Sequence, residues 1–495
     1  HASPYPPSAS TAYSISSDSK IPTYPDHPPP YPRRILIDNS TFGTLKALFH
    51  TFGCKLNFAE TSTVARMFAE EGITRVGPGD TPDVIVINTC SVTELADKKC
   101  RQAIRSFHRR YPEAAILVTG CYAQLKPSEV ASLPGVAVVA GNDRKNRLPE
   151  FLHEFVNSRK PASDVVPTPK LLAFNPSCSQ DDRTRHFLKI QDGCDYYCTY
   201  CTIPAARGRS RSGTIASIVA QAEKAAANGA KEIVITGVNI GDFGRRTADE
   251  SGLIAIDGPR ETFLDLIRRL DTIEGIERYR ISSIEPNLLT DEIIEFCASS
   301  RRFMPHFHIP LQSGSDEVLR LMHRHYDTAL FRHKIERIRQ LIPHAFIGVD
   351  LIAGARGETE EEFISSRDFV ESLPITRLHI FPYSERPGTK ALEIGHVVSQ
   401  QEKHRRVNEM LHVSERKMEA FARQFLGTVR PVLLERGRPG EPMSGFTDNY
   451  LKVSVDAPHN LDNTIVPVRL LSLIPTEIGD CHIKAELAGT EPTQK

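Results

Sequence analysis

No stretch of the 495-residue chain approaches about twenty consecutive apolar residues, so an ordinary membrane-spanning helix is excluded. Net charge is also missing: 61 Lys and Arg face 61 Asp and Glu. Any nucleic-acid partner would therefore have to be held by local basic patches rather than by a global field. Cysteine is sparse, ten in all, and too thinly spread for a disulfide-held secreted scaffold. Six of the ten stand in patterned contexts, which favours a reducing compartment and metal ligation. A cytoplasmic protein with no membrane partner is the expectation. Residues 1–32 show no apolar periodicity and hold nine of the 35 prolines, so they are predicted to be disordered. This segment lacks the charged start and apolar core of a signal peptide and has no Arg before Arg33, so it reads as neither a signal peptide nor a transit peptide. The length suggests about three domains.

The most informative stretch is Gly193 to Pro204, Gly-Cys-Asp-Tyr-Tyr-Cys-Thr-Tyr-Cys-Thr-Ile-Pro. Cys194, Cys198 and Cys201 are separated by three and then two residues, with aromatic side chains between them. Three thiols so close cannot pair as disulfides without leaving one over, but they can converge on one metal centre. Thiolate is the usual ligand of iron–sulfur clusters. A tetrahedral zinc site normally needs a fourth protein ligand, which this stretch does not offer. Three cysteines on a four-iron cube leave one iron open to hold a substrate. A purely structural role for the same spacing is the competing reading.

Between Thr44 and Arg159, short aliphatic runs alternate with helical patterns. Leu45–Thr51, Val84–Asn88, Ile116–Thr119 and Val136–Ala140 read as strands, and Asn57–Glu71, Glu94–Arg110 and Pro127–Leu133 as helices. The alternation predicts a parallel α/β sheet. Each of the first three strands ends in a cysteine: Phe52-Gly53-Cys54, Asn88-Thr89-Cys90 and Thr119-Gly120-Cys121. Ligands of open α/β sheets gather at the carboxyl ends of the strands, so Cys54, Cys90 and Cys121 can meet in space. Taken singly, each is also compatible with an ordinary buried thiol.

These motifs carry a family resemblance. Cys194–Cys201 resembles the CxxxCx[aromatic]C signature of the radical S-adenosylmethionine (SAM) enzymes, with Tyr200 at the aromatic place. Gly-Cys-Lys-Leu-Asn (53–57), Asn-Thr-Cys-Ser-Val-Thr (88–93) and Thr-Gly-Cys-Tyr-Ala-Gln (119–124) resemble the N-terminal domain of the methylthiotransferases, the branch that joins such a domain to a radical SAM barrel. Lys55-Leu56-Asn57 resembles the branch acting on N6-threonylcarbamoyladenosine beside the anticodon of tRNA. The isopentenyladenosine branch usually has Gln-Met-Asn there, and the ribosomal-protein branch Pro-Lys-Asn. The resemblance implies two [4Fe-4S] clusters. One, on Cys194, Cys198 and Cys201, cleaves SAM to a 5′-deoxyadenosyl radical; the other, on Cys54, Cys90 and Cys121, carries sulfur. It also implies transfer of a methylthio group to adenosine C2, tRNA as a partner through its anticodon loop, and an electron donor such as flavodoxin or ferredoxin. The isopentenyladenosine branch, the ribosomal-protein aspartate branch and a non-catalytic iron–sulfur RNA-binding protein are the alternatives.

From His186 the strand–helix alternation resumes, with strands at His186–Gln191, Glu232–Gly237, Arg278–Ser282, Phe307–Ile309, Ala345–Ile352 and Arg377–Phe381. Six units predict an open, partial (βα)6 TIM-like barrel with its active residues at the C-terminal mouth. Thr236–Asn239 resembles the family's segment near the SAM methionine group, Ser282–Pro286 its ribose-proximal segment, and Gly348–Thr359 the segment that backs the adenine, with Ala355-Arg356 where the family usually has Phe-Pro. Ile309–Ser315 is a further family-like stretch. Cofactor-binding residues implied by the resemblance are thus Tyr200, Gly237, Asn239, Ser283, Glu285, Gln312 and Gly354.

Arg207, Arg209 and Arg211 alternate with small residues directly after the cysteine loop. A guanidinium row at a barrel mouth suits phosphate contacts, a solvated turn being the alternative. Gln400–Phe425 reads as a connector helix. Short strand-like runs from Gly427 to Ala488 predict a small β-barrel, in the place of the family's RNA-binding TRAM domain. Cys100, Cys297 and Cys481 read as structural, and Cys178 as a bystander. The expected organisation is a disordered extension (1–42), a Rossmann-like parallel α/β methylthiotransferase domain (43–159), a linker (160–185), a radical SAM domain with its connector helix (186–425) and a TRAM-like β-barrel (426–490).

Overall fold

A computed structural model describes residues 45–179, 184–248, 254–255, 261–437, 440–474 and 481–489; the extension predicted over 1–42 lies outside them. The N-terminal part is built on four parallel strands, β1 (Lys46–Thr51), β2 (Val84–Thr89), β3 (Ala115–Gly120) and β4 (Val136–Ala140). β2, β3 and β4 are buried along their whole length, which is why they read as unbroken aliphatic runs: helices cover both faces of a parallel sheet. Helices α1 (Lys55–Glu70) and α2 (Glu94–Arg110) follow β1 and β2, and the Thr93 hydroxyl caps α2 by accepting from the Ala96 N–H at 3.1 Å. Two short edge strands, Thr74–Arg75 and Ala162–Asp164, complete a six-stranded sheet. The chain passes from β1 to the Thr74–Arg75 edge and then crosses to β2 on the other side. The strand order therefore reverses between β1 and β2, where ligand crevices form in such sheets.

The segment expected to be a linker is partly structured. Ala162–Asp164 pairs with β4, and Ser177–Cys178 pairs antiparallel with the first barrel strand. Cys178 is buried, and its carbonyl accepts from Arg66 at 2.9 Å.

The central part follows the predicted partial barrel. Its parallel strands are β5 (Arg185–Lys189), β6 (Glu232–Thr236), β7 (Arg278–Ile281), β8 (His306–Gln312), β9 (Phe346–Ala353) and β10 (Arg377–Pro382). β7 and β8 are joined by the isolated bridges Tyr279–Phe303 and Ser283–His308. Alternation decides which side each residue faces. Leu188, Ile233, Ile235, Ile281, Phe307, Ile309 and Val349 join one core beneath the helices. The residues between them, among them Lys189, Arg280, His308 and Asp350, take the inner face. There α1 packs, with Phe58 and Ala59 against Phe187 and Val234.

Helix α3 (Gln400–Arg423) leads to a closed five-stranded barrel, β11 (Val429–Leu434), β12 (Met443–Thr447), β13 (Lys452–Val455), β14 (Ile465–Ile474) and β15 (His482–Leu487), in the order β11-β12-β13-β15-β14. Its core includes Met418 and Phe421 of α3 and Phe346 of β9. It caps the N-terminal ends of the central strands. Arg278 donates to the Pro431 and Phe446 carbonyls at 2.9 and 3.1 Å, and Arg280 to those of Thr447 and Asp448, both at 2.8 Å. No helix is long and apolar enough to cross a membrane among the described residues.

Candidate iron–sulfur and SAM site

β1, β2 and β3 pair in parallel with Thr51 beside Asn88, Asn88 beside Thr119 and Thr89 beside Gly120. That register brings Cys54, Cys90 and Cys121 to one end of the sheet. Two glycines make the turns possible. Gly120 has φ +99° and a Cβ there would lie 2.3 Å from the Thr89 carbonyl oxygen, so no other residue fits. Gly53 has φ +98°, and its Cβ would come within 3.1 Å of the Cys90 sulfur, so the missing side chain keeps the space between Cys54 and Cys90 clear. Asn57 clamps the same turn by donating to the carbonyls of Phe52 and Thr89 at 2.7 and 3.1 Å. Burial pushes the Cys90 thiol up to about 11, and Cys121 and Cys54 are close enough to push it the same way.

The second triad lies in the loop after β5. Gly193 has φ +70°, with the Arg209 carbonyl where a Cβ would sit. Each sulfur of this triad accepts a hydrogen bond. The Tyr196 N–H donates to Cys194 Sγ at 3.4 Å, the Ile203 N–H to Cys201 Sγ at 3.4 Å, and Arg324 Nη1 to Cys198 Sγ at 3.1 Å. Burial raises all three thiols, Cys201 to about 12, and the Arg324 guanidinium works against this at Cys198. Donors aimed at sulfur favour the thiolate, the form that ligates metal, so the donor set fits an iron–sulfur cluster. Among the described residues no three His, Cys, Asp or Glu side chains converge as on a single metal ion; the thiolates of a cube bind separate irons and stand farther apart.

The residues expected at the cofactor ring the same mouth. Glu285 is ion-paired with Arg324; burial raises its carboxyl, and Arg324 opposes the rise. Tyr200 lies 3.5 Å from the same guanidinium. Both polar atoms of the Asn239 side chain are buried without a hydrogen bond among the described residues, and the nearby Tyr196 hydroxyl is bonded by Asn287 at 2.7 Å. An orphaned carboxamide here fits a zwitterionic ligand. Gln312, at the end of β8, has φ +67°, a conformation a non-glycine residue holds only under constraint. Ser283 sits at the bridge that joins the two halves of the barrel. Gly354 has φ +76° and donates its N–H to Glu358 at 2.8 Å; Glu358 in turn is paired with Arg406 at 2.7 Å. Next to it, Ala355 is buried, and Arg356 pairs with Glu385.

One positioning contact was not anticipated. Gln191 accepts from the Val238 and Asn239 N–H groups at 3.0 and 2.8 Å and donates to the Gly193 carbonyl at 2.7 Å. It thus ties the Gly237–Asn239 turn to the cysteine loop, and its only sequence signal is an amide at a strand end. Arg386, in the family-like segment after the last barrel strand, is buried and bonds Ser91 Oγ and Asp97, both at 2.9 Å, so it fastens the end of the barrel to the Cys90 turn.

The arginine run departs from expectation. Arg207 and Arg211 are buried, not poised for phosphate. Arg207 pairs with Asp192 at 2.9 Å and Glu60 at 3.2 Å and donates to Asn57 at 2.6 Å; Arg211 donates to the carbonyls of Ala173 and Arg207 at 2.6 and 2.7 Å. Lys145 and Lys189 complete the cluster on Glu60. Burial alone would raise the Glu60 carboxyl, but Arg207, Lys145 and Lys189 hold it well below the carboxylate range. Of the three arginines only Arg209 is exposed, at 64%.

A hydrogen bond runs directly between the two cysteine turns. The Thr202 hydroxyl, one residue after Cys201, donates to the Ser91 carbonyl, one residue after Cys90, at 3.3 Å.

With this geometry, comparison with known proteins is informative. Residues 46–141 match the uncharacterized protein family UPF0004 and residues 188–370 the radical SAM superfamily. The chain is 37% identical over 432 residues to the threonylcarbamoyladenosine tRNA methylthiotransferase MtaB of Bacillus subtilis, covering 86% of this chain and 93% of that protein. It is 32% identical to the tRNA-2-methylthio-N(6)-dimethylallyladenosine synthase of Corynebacterium efficiens, over 84% of this chain and 79% of that protein. The solved radical SAM methyltransferase TsrM of Kitasatospora setae shares the fold, with a TM-score of 0.51 and 14% identity over 70% of this chain and 76% of that one. The chain belongs to the radical SAM tRNA methylthiotransferases.

Proposed function

We propose that this protein converts N6-threonylcarbamoyladenosine, beside the anticodon of tRNA, to its 2-methylthio derivative, holding one [4Fe-4S] cluster on Cys194, Cys198 and Cys201 and a second on Cys54, Cys90 and Cys121. The observation that carries the reading is the meeting of the two triads through Thr202 and Ser91. When bound, the clusters and SAM supply the radical and sulfur-transfer chemistry.

The chain's own residues bind and orient. Asn239 and Gly237 would receive the amino-acid end of SAM, with Gln191 fixing their turn. Glu285 and Ser283 would hold its ribose and Gly354 would back its adenine, with Gln312 and Tyr200 bordering the same mouth. Arg324 holds Glu285 and hydrogen-bonds the Cys198 sulfur, so cofactor site and cluster share one guanidinium. Relatives named for the threonylcarbamoyl substrate and for the dimethylallyl substrate both match the chain. The polar inner face, with Lys55, His308, Asp350 and His379, favours the charged threonylcarbamoyl group over an apolar dimethylallyl one. An external one-electron donor of flavodoxin or ferredoxin type supplies the electron.

The test is nucleoside mass spectrometry of tRNA from cells with and without the protein. The reading requires loss of 2-methylthio-N6-threonylcarbamoyladenosine; loss of a methylthiolated isopentenyladenosine instead would reassign the substrate.

A further inference from the structure

One cation on the inner face of the barrel has no paired counter-ion among the described residues. Lys55 is the first residue of α1 and follows Cys54 directly. It is half-buried, within electrostatic reach of Tyr450, Arg185, Asp350 and Arg280. Its ammonium makes no hydrogen bond or ion pair among the described residues.

Its cationic neighbours are all matched. Arg280 pairs with Glu232 at 2.8 Å and Arg185 with Glu435 at 3.2 Å. The carboxylate on its own side, Asp350, is taken by His308 at 2.7 Å, and His308 stacks on His379 with ring centroids 5.0 Å apart. His308 and Asp350 each retain 20% of their exposure although they lie on the inner face, so the face within electrostatic reach of Lys55 is open to solvent. A charge withdrawn from water without a partner is unfavourable. A lysine kept in such a place is matched by an anion that arrives from outside.

The chemistry of the substrate says which anion. On adenine, C2 and the N6 substituent flank N1 on one edge. A base presented to the site with C2 leading therefore sends its N6 chain into the same chamber. The threonylcarbamoyl chain ends in a carboxylate. We propose that Lys55 is the specificity-determining residue that pairs with this carboxylate inside the barrel, an inference that rests on the substrate reading above. The contact is a charge-assisted hydrogen bond in a partly desolvated site, where such bonds are strongest.

The experiment crosses protein and ligand. Wild type, Lys55→Met and Lys55→Arg, reconstituted anaerobically, are titrated by fluorescence anisotropy with two anticodon stem-loops. One carries N6-threonylcarbamoyladenosine, the other its uncharged methyl ester. Wild type should prefer the acid roughly tenfold or more, Lys55→Met should bind acid and ester within about twofold, and Lys55→Arg should keep most of the preference. An acid preference undiminished in Lys55→Met overturns the proposal, as does a wild type indifferent to the ester. If Lys55 met an RNA phosphate instead, its loss would weaken both stem-loops alike, which also overturns it. Should Lys55→Met not fold, judged by iron content and melting, the wild-type and Lys55→Arg arms still decide. The substrate reading fails separately, if wild type with SAM and reductant makes no methylthio product from the acid stem-loop.

Discussion

Thr202 and Ser91, from two different domains, share a hydrogen bond of 3.3 Å, and each directly follows a cysteine of a different triad. The two cysteine loops are thus held against each other by a short hydroxyl side chain of one loop bonding a backbone carbonyl of the other. Asn142 adds a second tie by donating to the Ala206 carbonyl at 2.8 Å. Sites built on such fixed elements keep reacting groups in register.

The triads should nevertheless separate by function. Cys194→Ala should abolish 5′-deoxyadenosine formation from SAM, whereas Cys121→Ala should retain it and make no methylthiolated product. Each variant should keep roughly half the iron of the wild type. Methylthiolated product from Cys121→Ala would falsify the second-cluster assignment.

Arg207 and Arg209 should behave as opposites despite standing two residues apart. Removing Arg207 strips Glu60 and Asp192 of a buried partner, so Arg207→Met should destabilise by roughly 3–5 kcal/mol in chemical denaturation. Arg209→Ala should stay within about 0.5 kcal/mol. An equal, small effect of both would mean that the buried network does not hold the two domains together.

Acid should act first through histidine. Burial, with His308 adding to it, pushes His379 down from 6.5 to about 4. The folded chain therefore binds fewer protons than the unfolded one between these values. The stability contributed by neutral His379 is full above about 6.5 and lost as the pH falls toward 4. Melting temperature should decline across this window, and His379→Asn should flatten part of the slope. A profile unchanged by that substitution would show that other groups carry the decline.

Truncation after Phe425 should not yield a well-behaved two-domain enzyme. It would uncover Phe346, Met418 and Phe421 and take from Arg278 and Arg280 the four carbonyls they now bond. The shortened chain should aggregate or bind a hydrophobic dye while the full chain does not. A monomeric, dye-silent truncation would show that the terminal barrel is only loosely attached.

How legible was this in the sequence? The strand-end cysteines could be placed because a parallel sheet puts all its strand ends on one side, so Cys54, Cys90 and Cys121 needed no contact information. The alternation of β8, with Phe307, Ile309 and Leu311 in the core, likewise declares its two faces. The fate of Arg207 could not be read. Charge does not reveal whether a guanidinium will meet solvent, phosphate or a carboxylate, and here Glu60 lies 147 residues earlier in the chain. Strands of two or three residues, such as Ser177–Cys178 and Ala162–Asp164, are too short to show a period. The capping of the central barrel by the terminal one depends on Arg280 finding Thr447, a partner 167 residues away, and no local pattern announces it.

The capped base has a kinetic consequence under the proposed function. With Arg280 and its partners closing the far end, whatever enters the barrel leaves by the mouth it came through. A nucleobase seated there acts as a stopper, so 5′-deoxyadenosine and methionine formed behind it wait until the RNA departs. Turnover is then ordered, with SAM on before tRNA and its fragments off after, and saturating tRNA should slow rather than relieve inhibition by added 5′-deoxyadenosine.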